Sequence, residues 1–297
     1  MIIDAHQHLW DPSDRAYPWM DDSVAPIRRR FDASDLHAVT APAGVTATIV
    51  VQAVHDPGET AWLLAQPEPV AGVVGWVDLT APDVADRLAA LRTAAAGSQQ
   101  RGSHPPLVGI RHQAQDEPDP SWLAREDVAR GVRAVAAAGL AFDLLIRGAR
   151  EHAAALTLVD SVPDGVFVLD HAGKPDIAGK PAIAHDDSDS ATAWRARMRD
   201  FAARPNVACK VSGLLTEAGD DWRHRPVDRY VRDTVHTFGP DRSMWGSDWP
   251  VSTLAADYGT SLRTTADALA DLSDTERKAV LGGTAERVYL AGVQPQT

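Results

Sequence analysis

Asp4, His6 and His8 alternate through the opening DAHQH, and a carboxylate with two imidazoles can serve general acid–base catalysis or a metal centre. In an extended segment side chains repeat every second residue, so the spacing predicts that these three share one face, with Ile3, Ala5 and Gln7 on the other. More polar residues stand at the ends of apolar runs: Trp76 and Asp78, then Arg111, His112 and Gln113, Arg147, Asp170 and His171, and finally Asp248 and Trp249. Each has a structural explanation when taken alone. An imidazole can bond a backbone carbonyl, Asp248 in GSDWP can cap the next helix, and Arg111 can pair with a rim acid. Burying such groups separately, without partners, is costly, so a single shared site is the simplest account of all of them.

The elements that would bring them together are legible as eight short β-branched runs: MIIDAH (1–6), VTATIVVQA (45–53), VAGVVGWVDL (70–79), LVGIRHQ (107–113), LAFDLLI (140–146), VFVLDH (166–171), VACKVSG (207–213) and SMWGSDWP (243–250). Stretches of helical composition separate most of them, among them VADRLAALRTAAA, DVARGVRAVAAAG and VDRYVRDTVHTFG. Strand alternating with helix in this way predicts a single-domain α/β protein over residues 1–297, a parallel sheet closed into a (β/α)8 TIM barrel. No Gly-x-Gly-x-x-Gly follows any of these runs, which argues against a doubly wound dinucleotide fold. In a barrel the chemistry belongs at the carboxyl ends of the strands, where these polar residues fall. The tail SDTERKAVLGGTAERVYL (273–290) reads as two short helices packed outside the barrel. Loops 97–106 and 174–191 have the length of lids or binding loops.

Bulk composition narrows the function classes. A net charge of −12 repels phosphate backbones and anionic headgroups, so neither nucleic acid nor membrane is expected as a partner. The one basic cluster, Arg28 to Arg30, is flanked by Asp21, Asp22, Asp32 and Asp35, which predicts a solvated loop or a local ion-pair network. No apolar run reaches membrane length and the start lacks a secretory pattern, which predicts a cytoplasmic protein. The lone Cys209 lies in the apolar run VACKV and reads as a packed thiol. Homo-oligomerisation is left open.

Together DAHQHLWDP, GWVDL, GIRHQ, LDHAGKP and GSDWP resemble the amidohydrolase superfamily, of the amidohydrolase 2 type, in its branch of sugar-acid and related lactonases. The resemblance covers essentially the whole chain. It implies a barrel hydrolase acting on a carboxylic ester bond, with site residues falling on His6, His8, His171 and Asp248. The implied substrate is a sugar-acid lactone, an aldonolactone like L-fucono- or L-rhamnono-lactone. Binuclear members of the superfamily carry a lysine after the fourth strand and a histidine after the fifth, where this chain has Arg111 and Arg147, so two metals are not expected.

In the mechanism this suggests, Asp248 takes a proton from water and returns it to the leaving oxygen, while His6, His8 and His171 act on the carbonyl. The reaction is read as requiring no metal, the alternative being one Zn²⁺ held by His6, His8, His171 and Asp248. Arg111, His112, Gln113, Trp76, Lys174 and Trp249 are the expected substrate-binding residues: arginine can clamp a carboxylate or diol, and tryptophan offers a flat apolar wall. Two rivals stand beside the lactonase. One is a metal-dependent decarboxylase of an aromatic or related acid, and the other is a barrel that binds a sugar acid without turning it over.

Overall fold

The computed structural model describes residues 1–99, 104–178 and 189–291. Eight strands form one parallel sheet in sequential order: β1 (Ile3–Gln7), β2 (Ala47–Val51), β3 (Val70–Gly75), β4 (Leu107–His112), β5 (Ala141–Leu144), β6 (Val166–Leu169), β7 (Val207–Val211) and β8 (Ser243–Trp245). Beyond the strand ends the sheet closes on itself: the His8 N–H donates to the Trp249 carbonyl at 2.7 Å and the Asp248 N–H to the His6 carbonyl at 2.8 Å. The result is the (β/α)8 barrel that the alternating pattern predicts. Seven of the eight predicted runs contain their strands, β1 extending one residue past its run to Gln7, and the polar residues at the run ends lie on or just past the carboxyl ends.

The crossover helices are α1 (Ala33–Thr40), α2 (Pro57–Leu63), α3 (Val84–Gln99), α4 (Glu126–Ala137), α5 (Gly148–Ser161), α6 (Asp189–Ala202), α7 (Leu214–Ala218), α8 (Val227–Phe238) and α9 (Tyr258–Ala268). Local chemistry starts several of them. Asp32 caps α1 through the N–H groups of Ser34 and Asp35, and Asp56 caps α2, whose first residue is Pro57. Residues 100–103 of the predicted loop 97–106 and residues 179–188 of the predicted loop 174–191 lie outside the described residues; within these loops α3 continues to Gln99 and α6 begins at Asp189. Arg28, Arg29 and Arg30 pair with Asp22, Asp35 and Asp32 at 2.8, 3.6 and 3.3 Å.

Two apolar clusters divide the protein. The larger lies between sheet and helices; the smaller is built from strand residues, including Ile3, Ala5, Val51, Val74 and Met244, joined by Ala285 and Tyr289 from the tail. The smaller cluster draws on no crossover helix, so it is the barrel interior. Its membership corrects the expectation for the tail. After α10 (Asp274–Lys278) the chain continues through wide turns at Ala279–Gly283 and Glu286–Leu290 and closes the amino end of the barrel, with Tyr289 inserted among the strands. An apolar face alone does not distinguish a helix packed outside a barrel from one plugging its floor.

Candidate active site

β1 delivers His6 and His8 to the carboxyl end of the barrel, their Nε2 atoms 3.2 Å apart. Asp4 does not join them. The strand register shifts between Asp4 and Gln7, and the Asp4 carboxylate instead accepts from Ser247 N–H (2.8 Å), Ser247 Oγ (2.5 Å) and Tyr258 Oη (2.9 Å). Strict alternation would have put all three on one face, and the shift breaks it. Gly246 makes room at this seam, because a Cβ there would lie 2.6 Å from the His6 Cβ.

Asp248 and His171 arrive on turns past β8 and β6, both with left-handed backbone, φ 56° and 52°. Such conformations are costly for non-glycine residues and concentrate at functional sites. Asp248 Oδ1 lies 3.5 Å from His8 Nε2, 3.9 Å from His6 Nε2 and 4.0 Å from His171 Nε2. The four residues named from the sequence therefore meet around one point, and all are buried.

Each ring is held by a partner on its far side. His8 Nδ1 lies 2.7 Å from the Val51 carbonyl, which can only accept, so Nδ1 carries the proton and Nε2 is bare. His171 Nδ1 meets Ser212 Oγ at 2.9 Å, and His6 Nδ1 meets Asp170 Oδ1 at 3.2 Å. His6 Nδ1 also lies 3.2 Å from Lys210 Nζ, and its Nε2 faces Arg111 Nη1 at 3.3 Å; a guanidinium can only donate, so Nε2 presents its lone pair on the inner side. Burial is the main cause that lowers the pKa of all three imidazoles, that of His171 to about 4, so the rings are neutral near pH 7. Burial by itself would raise the Asp248 carboxyl, but the rings around it, His171 foremost, hold it below the usual carboxylate range.

Bare imidazole nitrogens facing one another beside an ionised carboxylate leave the site short of positive charge. The surroundings do not supply it. Among the described residues, Asp143, Asp170 and Asp248 are buried with two fully buried cations, Lys210 and Arg111, while Lys174 stands partly buried at the cleft beside Asp248. Lys210 Nζ sits 2.5 Å from Asp143 and 3.0 Å from Asp170, and Arg111 Nη1 is 3.0 Å from Asp170. Ligand atoms around a tetrahedral zinc, with bonds of about 2.0–2.2 Å, stand about 3.3–3.6 Å apart. The contacts here, from 3.2 to 4.0 Å, are close to that spacing. His6, His171 and Asp248 thus lie close enough together to hold a single metal ion, with His8 beside them at 3.2 Å from His6 and 3.5 Å from Asp248, and with Asp170 and Ser212 orienting His6 and His171 from behind.

Above these four opens a cleft of about 530 Å³, lined among others by Trp10, Trp19, Arg111, Gln113, Gln115 and Lys174. Of the six residues expected to bind substrate, Arg111, Gln113 and Lys174 reach it. The other three do not line it. Trp76 donates from Nε1 to His112 Nδ1 at 3.2 Å and both lie one layer back, while Trp249 packs edge-on against Phe31. Arg147, at the end of β5, is exposed and bonds both oxygens of Glu217 at 2.8 and 3.1 Å. Sequence reasoning set Asp170 and Lys210 among the polar strand residues without a specific role and passed over Asp143, although a charge inside an apolar strand was a usable signal. It also passed over Trp10, Trp19 and Gln115, which nothing in their local sequence distinguishes.

A model of the amidohydrolase family matches residues 3–290. The chain is an amidohydrolase. This amidohydrolase is 38% identical over 303 residues to L-fucono-1,5-lactonase of Burkholderia multivorans, covering 97% of this chain and 95% of that protein. It is 38% identical over 260 residues to L-fucono-1,5-lactonase of Burkholderia ambifaria, covering 86% and 83%. Among solved structures, a Burkholderia multivorans amidohydrolase with bound zinc superposes with a TM-score of 0.84 at 36% identity, over 97% of this chain and 99% of that one.

Proposed function

We propose that this amidohydrolase opens a sugar-acid lactone of the L-fuconolactone type, with Asp248 as the proton carrier and one metal ion at His6, His8, His171 and Asp248. The observation that carries the reading is the likeness to L-fucono-1,5-lactonase over 97% of the chain, in a protein whose Asp248 and three imidazoles meet at the floor of a cleft. A zinc ion bound there would supply Lewis acidity to the lactone carbonyl and to water. The carboxylate of Asp248 accepts a proton from the attacking water and delivers it to the ring oxygen as the bond to the acyl carbon breaks, releasing a hydroxy acid. The approach of three imidazole nitrogens to one carboxylate oxygen, at spacings near those of zinc ligands, favours the metal over the metal-free reaction expected from sequence.

The cleft's own cations support a neutral ring over a dicarboxylate. Arg111 is committed to Asp170 and to the backbone and side chain of Gln52, and Lys174 stands 3.9 Å from Glu217. Gln113 and Lys174 contact the substrate in this reading, while His112, Trp76 and Trp249 support the walls. The test is a screen of aldonolactones beside pyrone substrates, with acid release read by a pH indicator, before and after chelation and zinc replacement. Activity on a narrow stereochemical set of aldonolactones, lost on chelation and restored by zinc, is the expected result. Full activity in demonstrably metal-free protein would remove the ion from the scheme, and no activity on any lactone would remove the function.

A further inference from the structure

The side of the cleft between β4 and β5 is built differently from its floor. Residues 114–116 make one short turn in which the Asp116 N–H donates to the Gln113 carbonyl (3.0 Å) and the Gln115 N–H to the Leu145 carbonyl (3.1 Å). The backbone donors are thereby used within the protein, while the side chains of Gln113, Gln115 and Asp116 line the cleft. Among the described residues, Gln115 Oε1 is buried without a hydrogen-bond partner, an acceptor that a bound donor would satisfy. Asp116, at the exposed rim, adds a group that when ionised only accepts.

Behind the turn stands a ladder of rings. Trp122, His112 and His55 stack at 3.9 and 4.0 Å, and Trp76 lies parallel to His55 at 5.6 Å. The Gln113 N–H donates to His55 Nε2 at 3.0 Å, and the Trp76 indole to His112 Nδ1 at 3.2 Å; His112 Nε2 meets Glu117 at 2.7 Å. His55, His112 and Glu117 lie close enough to suggest a second metal centre. These bonds leave neither neutral ring a free lone pair for a cation, so the cluster works as a scaffold.

We infer that the 113–116 turn is the hydroxyl-reading edge of the cleft: Gln115 and Asp116 accept hydrogen bonds from ring hydroxyls of the bound lactone, and His55 positions them through Gln113. The inference rests on the lactonase reading and names what selects among lactones. An edge made of acceptors favours polyhydroxylated neutral rings and disfavours a second carboxylate.

The experiment measures kcat and KM for an aldonolactone and its single-deoxy analogues with wild type, Gln115→Leu, Asp116→Asn and His55→Phe, the last keeping the stack but losing the acceptor. In wild type, deleting the recognised hydroxyl is expected to raise KM about 5- to 10-fold, in line with one net hydrogen bond. In Gln115→Leu that increment should vanish for one analogue only, the KM of the parent lactone rising to match that of the analogue. His55→Phe should raise KM for the parent lactone and shrink the increments together, and Asp116→Asn, an exposed substitution, tests the edge without risk to the fold. Equal deoxy increments in wild type, Gln115→Leu and Asp116→Asn would overturn the inference. If wild type hydrolyses no lactone, the lactonase reading falls; calorimetric binding of the same panel then reads the edge by the same increments.

Discussion

Asp248 carries the heaviest demand of any single residue here. It is buried, left-handed, and within 4.0 Å of three imidazole nitrogens. Asp248→Asn keeps the volume and removes the charge, and should lower turnover at least about 10²- to 10⁴-fold, the usual worth of an acid–base group. Circular dichroism and thermal unfolding of the purified variant would verify an intact fold; near-normal hydrolysis would show that the proton goes elsewhere. His8→Ala removes a bare nitrogen fixed by the Val51 carbonyl, and should lower bound zinc in elemental analysis as well as rate. Zinc content unchanged from wild type would exclude His8 as a ligand.

Two predictions belong to the elements that carry the site. Gly213, in the turn after β7, has φ 67°, and a Cβ on it would lie 2.7 Å from His171 Nδ1 and 3.3 Å from Asp248 Oδ2. Gly213→Ala should therefore cost about 1 kcal/mol or more in stability and, by displacing the ring, a larger loss in kcat than that strain alone suggests. A variant with wild-type kcat would show that the ring has slack. Glu59 of α2 is wholly buried and accepts from Ala53 N–H (2.9 Å) and Val54 N–H (3.1 Å) at the end of β2. Burial raises its pKa from 4.5 to about 7. The folded state then holds a proton that the unfolded state has released, so this residue makes stability fall as pH rises from about 4.5 to about 7, and adds no slope outside that window. Urea unfolding across the window should show a shallower slope in Glu59→Gln; identical slopes would place the proton elsewhere.

Across the whole molecule a chain of polar contacts runs through the barrel interior. Tyr289 Oη donates to Asp143 at 2.7 Å, Asp143 pairs with Lys210, Lys210 with Asp170, and Asp170 with His6 and Arg111. The tail that closes the floor is thus connected to a ring at the mouth. Lys210→Met would leave two buried carboxylates facing one another and should destabilise by about 3–5 kcal/mol in urea unfolding, the usual cost of breaking a buried pair. Replacing Asp143 with Leu in the same chain should recover part of that loss. A cost under about 0.5 kcal/mol for Lys210→Met alone would mean that the interior re-pairs or hydrates.

Strand runs, their alternation with helices and the polar residues at their ends were legible in the sequence, because burial imposes a period on side chains that composition reveals. His6, His8, His171 and Asp248 stood among those polar run ends, and the resemblance to the amidohydrolase superfamily singled them out. Closure of the sheet decided the rest. Only β8 returning to β1 could draw Asp4 toward Ser247 and Tyr258 and set Trp249 behind the cleft against Phe31, and only the rolled sheet brings Arg111 of β4 to Asp170 past β6. Those outcomes depend on which distant groups compete for one side chain, and that competition is settled by distances no local window contains.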